Sequence, residues 1–165
     1  THGGRWNPPD SFDALSLNAD VLTARDQIQR LLEGSPVTEN DLDDDAPFLL
    51  VLARLPGRQS AADAVTDAGL TAMGLPATYP LTKRGRAVTR STCQTLGRAV
   101  RESGLRGVWC RSAARRDGAG RELTWFPARP SSRARWAGDV PLPYGAWRHA
   151  ESWNDLGLPP QKDPA

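Results

Sequence analysis

The sequence is poor in the residues that make metal sites and disulfide frameworks. Two cysteines and two histidines are present among 165 residues. Cys93 and Cys110 have no CxxC spacing and no histidines nearby, so a structural or catalytic metal site is not expected. Disulfide-stapled scaffolds carry more cysteine for their length, and the expectation here is two reduced, partly buried thiols. No apolar run approaches the roughly 20 residues of a membrane-spanning helix. No basic start followed by an apolar stretch reads as a secretory signal, so the expected location is cytoplasmic. Thr1 to Trp6 do not read as a natural start. Internal repeats are lacking, and so is any recognisable nucleic-acid-binding motif.

What is present is the composition of one ordinary globular domain. The hydrophobic fraction is 39% and the charged fraction 24%. A chain of this length buries about 70% of its unfolded surface, enough for a real core. The net charge of +2 hides an asymmetry: residues 1–70 carry 5 basic and 12 acidic side chains, residues 71–165 carry 16 and 7. Either the basic half attracts an anionic ligand or the two halves offset each other in one body. Six tryptophans and the basic half are compatible with nucleic acid, but without a motif direct nucleic-acid binding is not expected.

The pattern of residues predicts an α+β chain. Gly3-Gly4-Arg5-Trp6-Asn7-Pro8-Pro9 is a turn punctuated by glycine and proline. Residues 12–17 alternate as a short half-buried strand. Val21, Ala24, Ile28, Leu31 and Leu32 then recur at helical spacing, with Asp20 or Thr23 as cap and Gly34 as stop. The acidic stretch from Glu39 to Asp45 reads as a solvated loop. Phe48 to Leu52 is a continuous apolar run and the expected central strand. Short helical pieces are expected over 61–68 and 70–73, ended by Gly74 and Pro76. A second amphipathic helix runs from Thr92 to Ser103 with Leu96 and Val100 on one face. Residues 108–110 and 123–126 read as a β-hairpin around a polar, glycine-containing turn. From residue 128 to 165 the pattern loses its period. This segment is expected to be an irregular extension, wrapping the body or partly disordered, after a domain spanning 1–127.

The opening turn followed by Ala14-Leu15-Ser16-Leu17 resembles the start of the RES domain. Leu70 to Pro76, Thr95 to Gly104, Gly107 to Arg115 and Leu123 to Pro127 are similar to later pieces of that family, in the right order. The resemblance implies an ADP-ribosyltransferase-like mixed sheet with flanking helices. It implies a toxin of a bacterial toxin–antitoxin pair that consumes NAD, or transfers its ADP-ribose, and an Xre-type helix-turn-helix antitoxin as partner. Arg5 stands at a family arginine and Ser112 at the family serine. Ser16 stands where the family has tyrosine, and Gln27 where it has glutamate. A further family arginine would lie ahead of Thr1.

Chemically, these positions carry different weight. Breaking the nicotinamide–ribose bond leaves a cationic sugar, which a nearby carboxylate stabilises; the Gln27 amide keeps the hydrogen bonding without the charge. Ser16 lacks the ring that a tyrosine would stack on a base. Asp26 adjoins Gln27, but neighbouring helical residues point about 100° apart and cannot face one pocket equally well. Arg5 in its Gly4 turn suits a diphosphate, or else pairs structurally with Asp10 or Asp13. Trp6 is read as a ligand contact or a core plug, Asn7 as a ligand contact or a brace for the turn. Ser112 could hydrogen-bond a ribose or a phosphate.

Overall fold

Two stretches of main chain set the frame: a four-stranded sheet, and the helix laid against one of its faces. They are seen in a computed structural model that describes residues 3–42, 48–115, 117–128, 133–138 and 141–158. The sheet contains β1 (Leu15–Asn18), β4 (Ala62–Ala64), β5 (Gly107–Arg111) and β6 (Arg121–Trp125), in the order β1-β6-β5-β4. β5 and β6 form the expected antiparallel hairpin, with Val108 opposite Thr124 and Cys110 opposite Glu122. β1 adds antiparallel to β6, placing Ser16 opposite Thr124 and Asn18 opposite Glu122. β4 runs parallel to β5, so the sheet is mixed and the chain is α+β. The chain between these parallel strands carries α2 (Asp67–Ala72) and α3 (Arg90–Glu102), as a parallel pair requires a long crossover.

Both long helices begin and end where side-chain chemistry dictates. Asp20 caps α1 (Val21–Leu32), its carboxylate accepting from the Thr23 amide at 2.6 Å. Thr89 caps α3 by accepting from the Thr92 amide at 3.2 Å, and Gly104 follows its end at φ +88°. The inward face of α3 is Cys93, Gly97 and Val100. It packs against the buried face of the sheet, Val108 and Cys110, together with Trp6, Leu70, Tyr79 and Phe126. Cys93 and Cys110 are both buried and unbonded.

Gly97 lets the opening turn lie against α3. A β-carbon there would sit 1.8 Å from the Trp6 carbonyl oxygen. From the previous turn of α3, Gln94 Nε2 donates to the carbonyl of Gly4 at 2.9 Å. Trp6 is fully buried in consequence. A second core joins Val21 and Ala24 of α1 to Leu42, Tyr144, Trp147 and Ala150. Tyr144 and Trp147 belong to α4 (Tyr144–Trp147), which follows β8 (Leu142–Pro143). Arg25 of α1 ties that end down by donating to the carbonyls of Arg148 and Ala150 at 3.0 and 3.4 Å. Of the two expectations for residues beyond 128, the described part wraps the body.

Two expectations fail, one of a strand and one of a helix. Phe48 to Leu52 is not central: β2 (Leu49–Leu50) pairs only with β8 in a two-stranded ribbon, and Leu49 is 48% exposed. A second ribbon pairs β3 (Ala53–Arg54) with β7 (Arg135–Trp136). The piece from 61 to 68 is not one helix: it opens with the strand β4, and helix begins only at Asp67. Ala62 and Ala64 are small enough to lie under α2 while their backbone pairs with β5. The expected loop over 39–45 begins with a 3-10 turn, Glu39–Asp41, and residues 43–47 lie outside the described residues.

Two outcomes test this packing. Gly97→Ala forces the Trp6 peptide away from α3 and is expected to lower stability by about 1–3 kcal/mol in urea unfolding. The second concerns pH. Burial pushes the Tyr79 hydroxyl well above its ordinary value, with Arg5 opposing, and burial with the Glu39 contact pushes up Tyr144. A raised folded value means the native state holds its proton while the unfolded chain releases it near pH 10. This contribution is complete below about pH 10 and is lost as pH rises beyond it. The urea midpoint should therefore fall from about pH 10 upward, and Tyr79→Phe with Tyr144→Phe should flatten that fall.

Candidate functional site

A hollow opens between β1, the outer face of α1 and the two ribbons. It is a cleft of about 980 Å³. Pockets that take nucleotide- or drug-sized molecules run to about 300–1,000 Å³. Leu17, Trp109 and Leu123 form its floor on the sheet. Gln27, Ile28 and Leu31 come from α1, and Phe48 to Ala53 from the first ribbon strands. Trp136, Trp147 and Trp153 close it from the C-terminal segment. Its charged residues are Arg30 and Arg135, and no carboxylate lines it among the described residues.

Two of the expected residues meet here. Ser16 on β1 and Gln27 on α1 both line the cleft, Ser16 at the strand edge, since its side chain takes the face of Thr124 rather than that of Leu17. Asn18 joins them and donates from Nδ2 to Gln27 Oε1 at 3.3 Å, which fixes the amide of Gln27 with its oxygen turned to the strand. Asn18 Oδ1 is itself buried and unpartnered. Asp26 points elsewhere: it pairs with Arg115 at 3.5 Å beside a separate polar hollow. The adjacent carboxylate therefore does not substitute for Gln27.

Ser112 is brought close but not into the cleft lining. It is fully buried, and its hydroxyl donates to Glu122 while accepting from the amide of Ala114 at 3.1 Å. A β-carbon on Gly120 would meet Thr23 Oγ1 at 2.6 Å and Ser112 Cβ at 3.0 Å, so the first turn of α1 presses on the hairpin end here. Thr23 and Gln27 are four residues apart on one helix face. Glu122, which sequence reasoning missed, sits opposite Asn18 on β6 and is 8% exposed. The alternation of its strand was the available signal: Glu122 and Thr124 share the face of Val108 and Cys110.

The opening turn is a structural unit. The Gly4 amide donates to the Asn7 carbonyl at 3.0 Å, and Asn7 Nδ2 donates to the Phe12 carbonyl at 3.0 Å. A β-carbon on Gly4 would meet Asn7 Oδ1 at 2.6 Å, so glycine is needed there for the close approach. Asn7 is the brace and Trp6 the core plug. Arg5 pairs with neither Asp10 nor Asp13 but donates from Nε to Tyr79 Oη at 3.2 Å and weakly to the Val88 carbonyl at 3.4 Å. Its guanidinium lies 5.7 Å from the centre of the Tyr79 ring. Tyr79, a residue the sequence did not single out, is the partner of Arg5 in the core.

No protein-family profile matches the chain, and no curated protein matches it. Among solved structures, it is similar to a chain of the M. tuberculosis MbcT–MbcA toxin–antitoxin complex. That likeness has a TM-score of 0.66 and 24% identity, and it covers 89% of this chain and 77% of the other. The two chains share a fold, an α+β arrangement around a mixed sheet.

Proposed function

We propose that this chain is a RES-type domain that recognises NAD in the cleft beside Ser16 and Gln27, and that it is the toxin half of a toxin–antitoxin pair. The observation that carries the reading is that Ser16 and Gln27, which stand at the positions where the family has its strand tyrosine and helix glutamate, line one cleft of nucleotide size. The fold shared with a chain of a toxin–antitoxin complex supports it. The Xre-type helix-turn-helix antitoxin belongs to the same proposal.

The reaction that follows is scission of the bond between ribose C1′ and the nicotinamide nitrogen. Nicotinamide departs with the bonding pair, and water, phosphate or a protein nucleophile adds to the sugar cation. In this cleft Gln27 orients a ribose hydroxyl through its amide but supplies no negative charge. Arg30 and Arg135 attract the diphosphate. Their charge does nothing for a developing cation. A missing electrostatic contact of this kind commonly slows turnover by about 10²–10³.

A second reading has its own support: with no carboxylate lining the cleft among the described residues, the domain binds nucleotide without cleaving it. One experiment separates the two. NAD loss is followed by chromatography for the wild-type chain and for Gln27→Glu. Under the first reading the wild type turns over slowly and Gln27→Glu gains about 10²–10³ in rate. NAD that persists with both proteins, while still binding, leaves the second reading. Absence of binding to either protein contradicts both.

A further inference from the structure

Of the six tryptophans, four line the cleft, and three of those are committed to the fold. Trp147 is 1% exposed and packs edge-on against Tyr144 at 5.0 Å. Trp153 donates from its ring nitrogen to the Ala19 carbonyl at 2.8 Å. Trp109 lies within β5 on the cleft floor. Trp136 differs: it is 53% exposed. It projects from β7 opposite Ala53, whose single methyl group leaves the ring uncovered by its cross-strand neighbour.

The same ribbon places like charges face to face. Arg135 stands opposite Arg54 in the ladder, and neither makes an ion pair among the described residues. Directly opposed like charges destabilise a strand pair, and a bound anion offsets that. Neighbouring residues of a strand point to opposite sides. The ring of Trp136 is thus turned to the cleft, while Arg135 reaches its rim from the side it shares with Arg54.

The geometry points to Trp136 as the stacking platform for the planar ring of a nucleotide, base or nicotinamide, with Arg135 taking a phosphate at the rim. This rests on the reading of the cleft as the NAD site and deepens it. The ligand class is set by the wall chemistry: an exposed aromatic face, two arginines and no carboxylate among the described residues suit a phosphate-bearing planar molecule.

The test titrates NAD and ADP-ribose into the whole chain, reading tryptophan emission and the heat of binding. The wild type should show quenched emission. Trp136→Ala should lose most of the quenching and bind about 5- to 100-fold more weakly, whereas Trp136→Phe should stay within about threefold. Arg135→Gln should weaken binding and make it less sensitive to salt. Trp136→Ala that binds as tightly as the wild type, with unchanged melting temperature, overturns the assignment and leaves the NAD reading standing. A wild-type chain that binds neither ligand at millimolar concentration overturns the NAD reading and this assignment together.

Discussion

The contact on which the rest depends is the backbone of Trp6 against α3 at Gly97. Helix and turn come so close that no side chain fits between them, and Gln94 adds a hydrogen bond from the neighbouring turn of the helix. This seats the Trp6 ring in the main core and fixes where the chain leaves for Phe12 and β1. The path of β1 then sets the start of α1 through Asp20, and with it the position of Gln27. Arg5 is drawn in by the same docking, its guanidinium held by Tyr79 rather than left free for a ligand. A motif whose residue types suit a phosphate is, in this molecule, docked on α3 with its arginine engaged by Tyr79.

Elements with local signals were legible in the sequence. The cap of α1, the glycine stops of α1 and α3, and the hairpin of β5 and β6 are each encoded within one short continuous stretch. Pairings between distant segments were not. Phe48 to Leu52 is apolar because it lines a cleft and pairs with β8, and apolarity alone does not distinguish that from a central strand. Ala62 and Ala64 resemble helix formers, yet their small size is what lets a strand pass beneath α2. The C-terminal segment has no period because Tyr144 and Trp147 act as single plugs rather than as a repeating face.

The site was legible to a similar degree. Ser16 and Gln27 both line one cleft, and Ser112 is buried outside its lining. Its hydroxyl is engaged by Glu122, a carboxylate visible only once the strand register is known. Trp136 had no signal at all in the sequence, since its place opposite Ala53 depends on a pairing across about eighty residues. The cleft is lined by aromatic rings and two arginines, with the hydrogen-bonded Asn18–Gln27 amide pair between β1 and α1. Under the proposed reading, recognition and turnover are separable: aromatic and cationic groups line the cleft, and an amide stands at the position where the family has its carboxylate.

The most direct test of that account is a crystal structure of the chain grown with ADP-ribose. The account predicts the ligand in the cleft between β1, α1 and the ribbons, with a ribose hydroxyl against Gln27, a planar ring on Trp136 and a phosphate near Arg135. A ligand bound instead against Arg5 and Tyr79, or a cleft left without ligand at millimolar concentration, would contradict it.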